Sequence, residues 1–161
     1  MPSCTLSLVR TFPRIINGYD FSGRLLIVVP MDGVSSTRLN GTPVGQSLIL
    51  IKGKTNCTVF EPEGRLVAIL SIRAETLDRK WLESGDGYLL LRLPQEKLCG
   101  LQTLIRSTLE FAGTEPEAIA ASNVLGTTQD TLFAAFDAAM CSGAFHGCGN
   151  PALLTLSLIH I

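Results

Sequence analysis

The feature that most restricts this chain is a change of period at Leu93-Pro94. Upstream, apolar residues alternate or run in short blocks between Gly, Pro and Asn; downstream they recur at steps of three and four. Alternation belongs to strands and the longer period to helices. The expectation is an α+β chain: an antiparallel β-sandwich or barrel over residues 1–93, then a small subdomain of two to three helices over 94–142. Residues 143–161 read as a loop and a tail. There is no internal repeat and no low-complexity tract.

The strand-like half divides at turn residues. Cys4 to Val9, Arg14 to Asn17, Leu25 to Pro30, Ser36 to Leu39, Thr42 to Val44, Ser47 to Ile51, Asn56 to Glu61, Arg65 to Ile72 and Gly87 to Leu93 each carry a strand pattern. Asn40-Gly41 between two of them predicts a tight hairpin, because both central positions of a type I′ turn need positive φ. Lys52-Gly53-Lys54 and Pro62-Glu63-Gly64 read as further turns. Ala74 to Leu82 reads as a short helix. In the Arg65 to Ile72 strand, Leu66, Ala68, Leu70 and Ile72 form an apolar set expected to face the interior, against Arg65, Val67, Ile69 and Ser71.

In the second half, Leu98, Leu101, Leu104, Ile105, Leu109 and Ala112 share one helical face, and Gly113 is expected to stop that helix. Thr114-Glu115-Pro116-Glu117 has the form of a capping box that would open a short helix. Thr127 or Thr128 is expected to cap a third, with Leu132, Phe133, Phe136, Ala139 and Met140 on one side. Residues 143 to 151 have loop composition.

Composition narrows the function. Lys plus Arg is 13 and Asp plus Glu is 14, a formal net charge of −1, which speaks against nucleic-acid binding by these residues themselves. Hydrophobic residues make up 46%, enough for a core and too many for disorder. No apolar run reaches the roughly 18 residues of a membrane helix, and Met1-Pro-Ser-Cys4 has no signal-peptide form. Five cysteines at wide spacings, with no Cys-x-x-Cys, fit a reducing cytoplasm better than a disulfide framework. The two Asn-x-Thr sequons therefore carry no weight.

Catalytic chemistry has little to stand on. The two histidines, His146 and His160, both lie outside the β region, so a His-based metal site inside a barrel has no ligands. Cys141, His146 and Cys148 lack a fourth partner and zinc-site spacing. There is no nucleophile elbow, Walker loop or dinucleotide fingerprint. The chain is expected to be no enzyme and to hold no metal or cofactor. A largely apolar β shell with few polar groups suits enclosure of a small molecule.

Four segments then take on a familiar order: Leu25-Leu-Ile-Val-Val-Pro30, Arg38-Leu-Asn-Gly-Thr-Pro-Val-Gly45, Leu48-Ile-Leu-Ile-Lys-Gly53 and Cys57-Thr-Val-Phe-Glu-Pro62, the last running on to Gly64. Together they resemble the cupin-like N-terminal half of AraC-type (AraC/XylS) transcriptional regulators. Pro94 to Ser142, with Phe111-Ala-Gly-Thr-Glu-Pro116, is similar to the helices that follow in the subgroup containing ethanolamine-utilisation regulators. The resemblance spans about residues 12 to 142 and rests on pattern and order.

It implies a cytoplasmic sensor and dimerisation domain. A small-molecule effector would bind the β unit, the helices would pair with a second subunit to form a homodimer, and DNA would be held by a helix-turn-helix domain that this chain lacks. Leu156-Ser-Leu-Ile-His-Ile161 matches one translation frame of a transposase sequencing adapter, so the tail is expected to be artefactual and the chain a fragment. Arg38 and Arg73 are candidate anchors for an anionic effector, with Leu66, Ala68 and Leu70 as candidate lining. Leu98, Leu101, Ile105 and Leu109, or Leu132, Phe136 and Met140, are candidate pairing positions. Alternatives are a non-metal binding or oligomerisation module whose β unit is filled by its own side chains and, less favoured, a cupin-type enzyme.

Overall fold

The computed structural model describes residues 4–73, 86–117 and 122–148. Eight strands form one antiparallel sheet: β1 (Cys4–Arg10), β2 (Arg14–Pro30), β3 (Arg38–Leu39), β4 (Thr42–Pro43), β5 (Leu48–Glu61), β6 (Leu66–Arg73), β7 (Gly87–Arg92) and β8 (Ala144–Cys148). Two helices, α1 (Gln95–Thr114) and α2 (Ser122–Ser142), lie between β7 and β8 in sequence. The expected α+β class is what the chain adopts. The described residues fall into two compact units, the strands in one and Leu93–Gly143 in the other. No described helix is long and apolar enough to cross a membrane.

Along the sheet the order is β1-β6-β2-β5-β3-β4, with β7 on β5 and β8 on β7. The registers Val28↔Ile49, Leu26↔Ile51 and Ile49↔Leu90, Ile51↔Tyr88 set these residues on one face, because directly opposed residues in an antiparallel pair project to the same side. Ile49, Ile51, Tyr88 and Leu90 pack there with Leu39, Val44, Cys57 and Val59 in a cluster no more than 6% exposed. Ile16, Phe21, Leu26 and Val28 pack against it. The registers Leu25↔Ile72, Ile27↔Leu70, Val29↔Ala68 and Leu50↔Leu89 place a second buried row on the opposite face.

Four expectations need correction. Arg14–Asn17 and Leu25–Pro30 are two ends of one 17-residue strand. The turn-like residues between them are absorbed by irregularities at Asn17/Tyr19 and Phe21/Leu25, with Gly18 and Gly23 both at φ 72°. Lys52-Gly53-Lys54 does not turn the chain either: β5 runs unbroken through it. Gly53 has φ 61°, and a Cβ there would overlap the Asp86 carboxylate; Asp86 Oδ2 accepts the Lys54 amide at 3.3 Å. Glycine content thus marks bulges here rather than reversals.

The third concerns α2, which starts at Ser122. The Thr127 carbonyl accepts the Thr131 hydroxyl at 2.8 Å inside the helix, because threonine's preference for caps is weak enough for packing to override. The fourth is the 143–151 loop: Ala144–Cys148 forms β8 on β7, its glycines masking a short strand.

Other expectations meet the structure directly. Asn40 and Gly41 have φ 48° and 81°, as the hairpin requires. Gly113 lies in the last turn of α1, which ends at Thr114. The Thr114 hydroxyl donates back to the carbonyls of Glu110 and Phe111 at the end of α1, and Pro116 and Glu117 are helical again, where the short helix is expected to open. Residues 118–121 of the expected short helix, the Ala74–Leu82 helix and the 149–161 tail lie outside the described residues.

Candidate functional site

The inner face of the β unit is held in place by the β3–β4 hairpin. Asn40 pins that hairpin to β5: its amide donates to the Thr58 carbonyl at 2.8 Å, and its Oδ1 accepts the Thr58 amide at 2.7 Å. Its Nδ2 donates to the Tyr88 hydroxyl at 3.3 Å. One turn residue therefore supplies positive φ, closes the sheet edge and satisfies the polar tip of a buried aromatic side chain. Cys57 lies within this apolar cluster, and burial pushes its thiol pKa up.

At Glu61 the apolar lining gives way to charge. Glu61 continues the inward alternation of Cys57 and Val59 along β5 and is 6% exposed. It pairs in register with Arg14, whose Nε donates to Glu61 Oε2 at 2.6 Å. Arg65, at the mouth of β6, is 3% exposed, and none of its three side-chain nitrogens has a hydrogen-bond partner among the described residues. Its backbone is locked to the β1–β2 connection: the amide donates to Thr11 Oγ1 at 3.0 Å, and the carbonyl accepts the Thr11 amide at 2.8 Å. Asp32 Oδ2 accepts the Leu66 amide at 2.6 Å. Burial pushes the Arg65 pKa down, and the charges of Glu61 and Asp32 oppose that.

A second concavity lies where β2 and β5 are irregular. Gly18, Asp20, Lys54, Thr55 and Asn56 line an open cleft of about 490 Å³. Asp20 accepts the Ser22 hydroxyl at 2.5 Å and its amide at 3.2 Å, which holds the carboxyl below the usual range. Among the described residues no group of His, Cys, Asp and Glu is placed to hold a metal ion.

The expected anchors and lining lie elsewhere. Arg38 is exposed and donates from Nη1 to the Gly41 carbonyl at 3.0 Å, closing its own hairpin. Arg73 is half-buried at the end of β6, opposite Arg24. Ala68 and Leu70 are buried and Leu66 half-buried. Their register with β2 sets Ala68 and Leu70 on the face away from the apolar cluster. Leu98, Leu101 and Ile105 are buried within the single chain, Leu109 half-buried, and Leu132, Phe136 and Met140 buried. Sequence reasoning assigned Arg65 to an outward set. The signal that could have found it is the alternation Val59–Glu61, which carries an inward-facing row into charged residues.

Comparison with known proteins adds a distant likeness. No family model matches the chain, and no curated protein does. A 1.65 Å structure of ToxT from Vibrio cholerae aligns with TM-score 0.46 and 12% identity, over 65% of this chain and 48% of that one. The match therefore takes in about half of ToxT's length, and at this score and identity it assigns no function.

Proposed function

We propose that this chain is the effector-sensing and pairing portion of an AraC-type regulator. One observation supports the reading above the others: the four segments that carry the resemblance fall, in order, on β2, the β3–β4 hairpin and the two halves of β5, all in one antiparallel sheet. The helices that complete the resemblance come after β6 and β7, as α1 and α2. In this reading a small molecule favours one arrangement of the β unit over another, and the helices carry that bias to a second copy. Leu109, the member of its set that is not wholly buried, is the first pairing position to test. DNA contact is not assigned to these residues, whose charges nearly balance.

A thermal-shift screen of anionic, neutral and cationic small molecules, run beside sedimentation equilibrium, tests this. A saturable rise in melting temperature, together with a dimer that Leu109→Glu weakens, is the expected result. A monomer insensitive to every compound overturns it. A second reading has its own support: the inner cluster is filled by its own side chains. A dimer with no ligand response would favour that pairing module without a sensor.

A further inference from the structure

We propose that the Arg65 guanidinium, at the charged end of the inner face, is a receiving site for a small monocarboxylate. Its Nε, Nη1 and Nη2 are all buried and all without a hydrogen-bond partner among the described residues. A guanidinium carries five N–H donors in a fixed fork. Buried polar groups are almost always partnered, and one left bare is costly. The surrounding structure holds the Arg65 backbone in place. Thr11 holds the Arg65 backbone through three hydrogen bonds. The neighbouring Leu66 is tied to Asp32 on one side and, at 2.9 Å, to the Met31 amide on the other. A Cβ on Gly64 would come within 2.6 Å of the Thr11 carbonyl oxygen, so the chain is tightly seated there too.

The carboxylates close enough to act on Arg65 through their charge do not bond it. Glu61 is engaged by Arg14 and Asp32 by the Leu66 amide. Their charges oppose the effect of burial on the guanidinium and leave its donors unused. A planar group with two acceptor oxygens matches that fork in a bidentate way. Charge selects among such groups: Arg14 and Arg65 balance Glu61 and Asp32, so a monoanion takes the cluster to −1 and a dianion to −2. A monocarboxylate is thus favoured over the phosphate dianion. Arg65 is closed to solvent, so entry needs local displacement; the adjoining Glu63 and Gly64 are exposed and nearest in sequence.

This site does not depend on the regulator reading. The test uses the whole chain, with acetate and benzoate as probes, chloride at equal ionic strength as control and phosphate as competitor. The expected result is a saturable rise in melting temperature with the carboxylates that chloride does not produce. Arg65→Met abolishes it, Arg65→Lys weakens it about tenfold, and Arg38→Ala leaves it intact. An equal response in Arg65→Met, or none in the unaltered chain, overturns the site; an equal response to phosphate overturns the choice of a monocarboxylate. Should Arg65→Met fail to fold, the assigned Arg65 Nε–H resonance of the unaltered chain decides. Saturable movement with benzoate supports the site, and a fixed resonance rejects it. A melting response to neutral or cationic compounds without one to carboxylates would reject this site and leave the sensor reading standing.

Discussion

The inner face of the β unit has two ends that solve the problem of burial differently. In the apolar cluster every lining side chain is matched by neighbours, and its polar tip, the Tyr88 hydroxyl, is met by Asn40. At the charged end, Arg14 and Glu61 pair with each other, while the Arg65 guanidinium has no hydrogen-bond partner among the described residues. The same alternation along β5 builds both, so the contrast comes from side-chain chemistry rather than backbone. An apolar side chain needs only contact to be stable when buried, whereas a charge needs donors and acceptors in particular places. The first end is complete as it stands; the second is complete only with something added.

Mutations can break that contrast or sharpen it. The largest loss is expected from Leu90→Ala in the full cluster, about 2–5 kcal/mol by urea denaturation. A much smaller value would show that the cluster is loosely packed and that the contrast is false. Glu61→Gln should cost less, about 2–3 kcal/mol, since Arg14 is partly solvated and only part of the penalty for breaking a buried pair applies. Adding Arg65→Met to it should recover part of that loss, and strictly additive costs would show that Glu61 does not support Arg65.

Gly53→Ala tests the continuity of β5. It forces a side chain onto a positive φ and into Asp86, with an expected cost of about 1–3 kcal/mol. Asp86→Ala should relieve the overlap but not the backbone strain. Arg38→Ala should change stability by less than about 0.5 kcal/mol, as an exposed side chain that closes only its own turn. One further effect is absent at neutral pH and confined to the alkaline limb. Burial, partly opposed by Arg24, raises the Cys4 thiol pKa from 9.0 to about 11. The folded state therefore holds this proton more tightly than the unfolded chain does, so the contribution is intact below pH 9 and is lost as pH rises towards 11. Cys4→Ala should flatten that limb of the pH–stability curve.

Much of the architecture was legible because it rests on local rules. The hairpin followed from Asn40-Gly41, the end of α1 from Gly113, and the class from the change of period at Leu93-Pro94. The length of β2 and β5 was not legible, since Gly18, Gly23 and Gly53 have the composition of turns and only long-range pairing turns them into bulges. β8 escaped for the same reason: its partner β7 is some fifty residues away. The candidate site was less legible still. Alternation assigns residues to faces, but it does not say which face encloses the cluster, and Arg65 sits among Thr11, Asp32 and Glu61, which no single stretch brings together.

The pairing of Arg92 with Ala144 gives the helical segment a closed stem: the chain leaves the sheet and re-enters it at adjacent positions. Residues 93–143 are, in topological terms, an insertion into a β hairpin, so a tight turn in their place would preserve strand order. The pairing of β8 with β7 therefore closes a loop of about fifty residues, and that closure costs more chain entropy than a tight hairpin would.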